Sequence, residues 1–184
     1  MTIRLGILGI GSMGRHHVRN ARATAGVDLV ALADPGGDRF GVAGDLPVLG
    51  GVEELIETGI DAAIIAAPTA HHEAAALALA EAGVHTLVEK PLATSVEAGR
   101  RIRDAFAAAG LVGAVGYVER CNPALIDMRR RIAEGQLGEI EQIATRRQSP
   151  FPARISDVGV VKDLATHDVD LAAWVAGAPY ESIY

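Results

Sequence analysis

Ile3-Arg4-Leu5-Gly6-Ile7-Leu8-Gly9-Ile10-Gly11-Ser12-Met13-Gly14 is the stretch that decides the fold. Ile3 to Leu8 is an apolar run of strand length, and the chain after Gly14 is rich in helix formers, so the three glycines fall on a strand-to-helix turn. A second apolar run, Leu29 to Ala33, ends in Asp34, and 34 − 14 = 20 is about the spacing at which a dinucleotide fold carries its ribose-binding acid. Glycines also mark ordinary turns, and a glycine-rich turn in an unrelated α/β protein is the competing reading. Strand, spacing and acid together favour the dinucleotide fingerprint.

Each residue type in the fingerprint has a physical task. Gly9 allows the tight turn, Gly11 lets the backbone approach a pyrophosphate, and Gly14 lets the helix pack on the strand. The N–H groups of the turn through Ile10, Ser12 and Met13 then face the phosphates at the positive end of the helix dipole. Asp34 can accept from the ribose 2′- and 3′-hydroxyls and would repel a 2′-phosphate, which favours NAD over NADP. Arg39 lies close enough to leave that preference open.

Outward from this turn, strands and helices alternate as a parallel sheet requires. Strand candidates are Ile3–Leu8, Asp28–Asp34, a weak Val48–Leu49, Ala62–Ala66, His85–Val88 and Val112–Tyr117. Helices are expected at Ala70–Ala82, ending at Gly83, and at Ser95–Ala109, opened by a capping box Thr94-Ser95-Val96-Glu97. The connection from Gly36 to Gly50 has little periodicity and five glycines, which argues against a full helix. Ligands of such sheets bind outside the carboxyl ends of the strands. Gly9, Asp34, Pro68, Lys90 and Tyr117 each lie at or just past the end of a different strand. Pro68-Thr69-Ala70-His71-His72 would be a cofactor-facing loop, with a solvated or capping role for the two histidines as the alternative.

Composition sets wide bounds. The chain has 184 residues, 49% hydrophobic and 22% charged, which suits a soluble globular protein of one domain or a little more. Its longest uncharged apolar stretch, Ala105–Val118 once Gly110, Gly113 and Gly116 are admitted, falls short of the roughly 18 residues that span a bilayer. The N-terminal apolar run is broken by Gly6 and Gly9 and has no basic leader. A net charge of −6 and 4% aromatic residues argue against nucleic acid. A single cysteine, Cys121, excludes an internal disulfide, fits a reducing cytoplasm, and is expected to be a small buried apolar residue rather than a nucleophile.

Past Tyr117 the character changes, and the chain divides into residues 1–118 and 119–184. Asn122 suits an N-cap and Pro123 the first position of a helix that ends at Gly135 or Gly138. Glu139–Gln148 reads as a strand, Ser149–Gly159 as a loop, and residues 161–176 as a helix closed by Gly177. Asp163 and His167, four apart, project from one side of that helix. An acid complementing the helix dipole and a hydrogen-bonded core histidine are the alternatives.

Taken together, Gly9-x-Gly11-x-x-Gly14, Asp34, Pro68-Thr69-x-x-His72, Glu89-Lys90-Pro91, Arg120-x-Asn122-Pro123 and Asp163-x-x-x-His167-Asp168 resemble the Gfo/Idh/MocA family over essentially the whole chain. The resemblance implies an α/β architecture, a doubly wound Rossmann sheet binding NAD(P), followed by the start of an α+β substrate domain on an open sheet. It implies a sugar, nucleotide-sugar or cyclitol substrate, with Lys90, Asp163 and His167 as catalytic residues. It further implies cofactor contacts from Pro68, Thr69, His72, Glu89, Lys90 and Arg120, and substrate contacts from Lys90, Tyr117, Asn122, Arg154, Asp163 and His167. No metal is expected, and the assembly implied once the second domain is complete is a homo-oligomer. The run Pro150–Val160 resembles a branch containing UDP-N-acetylglucosamine 3-dehydrogenases, which would place a diphosphate near Arg146, Arg147 or Arg154, with surface ion pairs as the alternative.

Oxidising a secondary alcohol needs a base for the hydroxyl proton and a cation for the developing alkoxide. His167 has the reference pKa of a base, about 6.5; Lys90 supplies the cation, and Asp163 orients. The chain ends where a strand of the second sheet would begin, so a fragment or a short relative is expected. A dinucleotide-binding or sensor protein without turnover is the rival function. Biliverdin reduction and NAD-dependent glycoside cleavage, known among relatives of the family, are further alternatives.

Overall fold

The computed structural model describes residues 2–148 and 161–184, with the side chains of all of these except Lys162 and Asp163. Two compact units emerge, Met1–Gly116 and Tyr117–Tyr184.

In the first unit, β1 (Ile3–Leu8), β2 (Val27–Ala33), β3 (Val48–Leu49), β4 (Ala62–Ile65), β5 (His85–Glu89) and β6 (Gly113–Gly116) form one sheet in the order β3-β2-β1-β4-β5-β6. Every pairing in it is parallel. The helices between are α1 (Gly14–Ala23), α2 (Val52–Glu57), α3 (His72–Glu81) and α4 (Val96–Ala108). Strand order reverses beside β1, so the connections leaving β1 and β4 diverge and open a crevice at the carboxyl edge. The sheet is buried on both faces, as parallel sheets are. Leu5, Ile7, Leu29 and Leu32 pack with Val18 and Ala21 of α1, whereas Leu8, Ala31, Ala63 and Ile65 pack with Leu55, Leu79, Ile102 and Phe106 of the other helices.

Three local features differ from the sequence expectation. Helix α2 has only one full turn of periodic apolar positions, Val52, Leu55 and Ile56, and went unread. The cap of α4 is Ser95, whose Oγ accepts from Ala98 N at 3.1 Å, one residue later than the expected Thr94. Residues 139–148 form no strand, because a strand needs a ladder partner and none lies beside them among the described residues. The connection from Asp34 to Pro47 is helix-free as expected. Asp38 ties it by accepting from Val42 N at 3.0 Å and Ala43 N at 2.7 Å, bonds that hold its carboxyl below the usual aspartate range.

The second unit has α5 (Pro123–Ala133), a π-helical turn (Val161–Ala165) and α6 (Thr166–Ala176), closed by Gly177 at φ 70°. Asn122 caps α5 by accepting from Ala124 N at 3.1 Å, with Pro123 at the first helical position. Among the described residues of this unit only Val175 is a buried hydrophobic, while Ile126, Leu137 and Val161 are exposed at 48%, 58% and 68%. Amide hydrogen exchange should therefore show strong protection across β1–β6 and weaker protection in α5 and α6. Uniform protection would refute that contrast.

Candidate active site

The turn after β1 has the backbone form that a phosphate cradle needs. Gly9 has φ +86°, which side-chain-bearing residues rarely adopt, and a Cβ there would stand 2.6 Å from the Ala67 backbone nitrogen. A Cβ on Gly14 would run into the Gly9 carbonyl oxygen, so helix and strand approach closely only because both residues are glycine. At Gly11 the same test meets nothing within 4 Å: its backbone borders open space. Helix α1 starts with no acidic residue in its first turn and no side-chain cap. A positive helix end and the absence of a Cβ at Gly11 fit the pyrophosphate of a dinucleotide, but the Ile10 amide, expected among the phosphate donors, is instead held by the Asp34 carboxylate. Ser12 and Met13, in the turn, are exposed, whereas Ile10 is buried under it.

Asp34, directly after β2, is fixed by two backbone amides. Its Oδ2 accepts from Ile10 N at 3.0 Å and its Oδ1 from Gly36 N at 2.8 Å, so the carboxylate joins the β1 and β2 loops at the edge where a ribose would lie. Arg39 folds back on the same loop, its Nε 3.4 Å from the Gly36 carbonyl.

Pro68 and Thr69 follow β4, and a 3₁₀ turn, Thr69–His71, leads into α3. His71 is exposed, whereas His72 is buried with its ring turned into the protein, so no solvated pair exists. Glu89 ends β5, buried, with Oε1 2.7 Å from His17 Nε2. Lys90 follows at once, joined to Pro91 by a cis peptide. The carboxyl ends of β1, β2, β4 and β5 thus bring the glycine turn, Asp34, Pro68-Thr69 and Lys90 to one edge of one sheet.

In the second unit, Arg120 sits with its guanidinium 5.4 Å from the Tyr117 ring centroid and donates from Nε to Asp170 Oδ2 at 2.8 Å. Burial, then the Asp170 charge, push the Tyr117 phenol above its ordinary range, so it stays a neutral donor through neutral pH. Arg147 pairs with Asp168 at 3.4 Å and Glu119 at 3.3 Å, taking the ion-pair alternative. His167 lies in the first turn of α6 and Asp163 in the π-helical turn before it. The Asp163 side chain, Arg154 and the stretch Ser149–Gly159, expected as a loop, lie outside the described residues. Cys121 is exposed, contrary to expectation, because it ends a short surface turn, Val118–Cys121.

Sequence reasoning missed Asp170 as the partner of Arg120 and His17 as the partner of Glu89. Both pairs join residues far apart in the chain, 50 and 72 positions, and leave no local pattern. Among the described residues no group of three or more His, Cys, Asp or Glu could hold a metal, and no helix is long and apolar enough to cross a membrane.

Residues 3–117 match the oxidoreductase family GFO_IDH_MocA, described as having an NAD-binding Rossmann fold, and residues 125–184 match the GFO/IDH/MocA C-terminal domain. The chain belongs to the Gfo/Idh/MocA family. Among its Gfo/Idh/MocA relatives, the scyllo-inositol 2-dehydrogenase (NAD(+)) of Bacillus subtilis is 33% identical over 98% of this chain and 56% of its own length. The UDP-N-acetylglucosamine 3-dehydrogenase of Acidithiobacillus ferrooxidans is 31% identical over 96% of this chain and 55% of its own. A solved structure of a UDP-N-acetylglucosamine 3-dehydrogenase from that organism superposes with a TM-score of 0.83 at 29% identity, over 96% of this chain and 57% of that one. Inositol and nucleotide-sugar dehydrogenases thus stand side by side, without the nucleotide-sugar branch standing out. The chain spans a little over half the length of these relatives.

Proposed function

We propose that this Gfo/Idh/MocA protein acts as an NAD-dependent dehydrogenase, moving a hydride between a nicotinamide and a hydroxyl-bearing carbon of a sugar, nucleotide sugar or cyclitol. The observation that carries the reading is Lys90, placed directly after β5 on the sheet edge that also holds the glycine turn and Asp34. NAD, when bound, supplies the hydride acceptor. The Gly9–Gly14 turn receives its pyrophosphate, and Asp34 accepts from the ribose hydroxyls.

Lys90 stabilises negative charge on the substrate oxygen as its proton leaves, and His167 takes that proton. Asp163 orients the substrate or the two groups. These roles rest on the family motifs that Lys90, Asp163 and His167 occupy. Pro68, Thr69, Glu89, Lys90 and Arg120 are assigned to the cofactor side, and Tyr117, Asn122 and Arg154 to the substrate side, on the same footing, while the buried His72 ring, expected on the cofactor side, faces chain carbonyls instead. The inositol dehydrogenase similarity supports a cyclitol, while the A. ferrooxidans relative and the run Pro150–Val160 support a nucleotide sugar. A panel of inositols, free sugars and nucleotide sugars, assayed with NAD and followed by product analysis, decides among them. Failure of every panel member to reduce NAD would sink the dehydrogenase reading.

The fixed Asp34 carboxylate predicts cofactor choice. NAD(H) should bind more tightly than NADP(H), and Asp34→Ser should narrow the gap. Equal affinities in titrations of the wild-type protein would overturn it.

A further inference from the structure

Two histidines from different helices bracket Lys90. On one side, His17 of α1 places Nε2 2.7 Å from Glu89 Oε1, with side-chain exposures of 20% and 8%. The other oxygen of that carboxylate, Oε2, accepts from Lys90 N at 3.2 Å. Gly116 of β6 backs the carboxylate, since a Cβ there would stand 2.9 Å from Glu89 Cδ. On the other side His72, 1% exposed, holds the two residues after Lys90. Its Nδ1 is 3.0 Å from the Pro91 carbonyl oxygen and 3.3 Å from that of Leu92. Its Nε2 is 2.8 Å from the Ala67 carbonyl oxygen, in the loop that carries Pro68 and Thr69.

Neither ring has the surroundings of a surface histidine. His17 comes from the helix that begins at the phosphate cradle, and it contacts β5 although β1 and β4 are the strands beside that cradle. Both nitrogens of His72 stand within hydrogen-bond distance of chain carbonyls, and an imidazole with one N–H donates to one side, the Pro91 and Leu92 carbonyls or that of Ala67, so it serves the site through the two loops it touches. A buried polar group is retained at the cost of its desolvation, and here each satisfied contact lands within two residues of Lys90 or on the neighbouring loop.

We propose that His17 and His72 are positioning residues for Lys90: His17 fixes Glu89 before it and His72 fixes Pro91 and Leu92 after it, so that the base of the lysine side chain keeps one orientation at the crevice. The inference rests on the reading of Lys90 as the group that meets the reacting oxygen. A catalytic group misplaced by about 1 Å can lose on the order of 100-fold in rate, which gives such bracketing its purpose.

The chain has only two lysines, Lys90 and Lys162, so ¹³C-lysine labelling of the whole chain with Lys162→Arg leaves a single side-chain εCH₂ signal in the NMR spectrum. In the parent protein the two Lys90 ε protons should be inequivalent, as in a side chain held in one rotamer. His17→Ala and His72→Gln should collapse that splitting to a motionally averaged signal. His17→Gln, which keeps a donor for Glu89, and His72→Asn, which keeps the donor toward Pro91, should retain at least half of it. NADH affinity by fluorescence is measured on each variant, with circular dichroism for folding. A parent signal without splitting, or splitting unchanged in folded His17→Ala and His72→Gln, overturns the proposal; if His72→Gln does not fold, His17→Ala decides. Lys90 splitting that is present but unmoved by bound NADH counts instead against the catalytic reading of Lys90, with the bracketing intact.

Discussion

Lys90→Ala should leave NADH affinity within about threefold of wild type while turnover falls by roughly 100-fold or more, and His167→Ala should do the same. A 100-fold loss corresponds to about 2.7 kcal/mol of transition-state stabilisation, the size expected when a group acts on the reacting oxygen rather than on ground-state binding. Lys90 sits at the carboxyl end of β5, and the proposed reading assigns the pyrophosphate to the glycine turn and the ribose to Asp34, so removal of the lysine should subtract little from binding. His167 belongs to the second unit. Parallel fluorescence titration and steady-state assays on the panel's best substrate measure both quantities. Near-normal turnover in either variant removes that residue from the mechanism.

Gly14→Ala should abolish NADH binding and destabilise the first unit by about 3 kcal/mol, at the upper end for overpacking, because the added Cβ meets the Gly9 carbonyl oxygen, part of the main chain, and no rotamer change relieves the clash. Gly11→Ala makes the informative contrast. Nothing lies within 4 Å of that Cβ, so stability should change by less than about 0.5 kcal/mol, yet the methyl group would occupy the backbone's line of approach to the pyrophosphate and NADH affinity should fall at least tenfold. Thermal denaturation with and without NADH separates the two. Wild-type affinity in Gly14→Ala would refute the packing argument, and wild-type affinity in Gly11→Ala would refute the cradle.

The first unit was legible because its signals are local. An apolar run, a glycine turn and an acid at a set interval identify β1, α1 and β2 without knowledge of any long-range contact, and Asn122-Pro123 announces the start of α5 in the same way. Helix α2 escaped because six residues carry too few periodic positions to stand out. The stretch 139–148 misled because its β-branched Ile140, Ile143 and Thr145 suit a strand only once it is paired, and pairing depends on another segment. His17–Glu89 and Arg120–Asp170 were invisible for a related reason. Nothing in the neighbourhood of His17 names β5, and nothing near Arg120 distinguishes Asp170 from Asp168. His72 was found as part of a motif, yet its orientation came only with the fold, since a histidine opening a helix reads equally as exposed or enclosed.

For protein engineers, if Asp34 sets cofactor preference as proposed, the two bonds it accepts make that preference and loop rigidity a single design variable. Trading the aspartate for a small neutral residue to admit a 2′-phosphate also releases the Ile10 amide in the phosphate turn and the Gly36 amide in the ribose loop. A switched enzyme built that way would gain tolerance for NADP at the expense of a slacker pyrophosphate turn, and so would bind both cofactors weakly. Asp34→Asn, which keeps one acceptor oxygen and sheds the charge, is the better starting point for redesign, with Arg39 already on the loop to meet the extra phosphate.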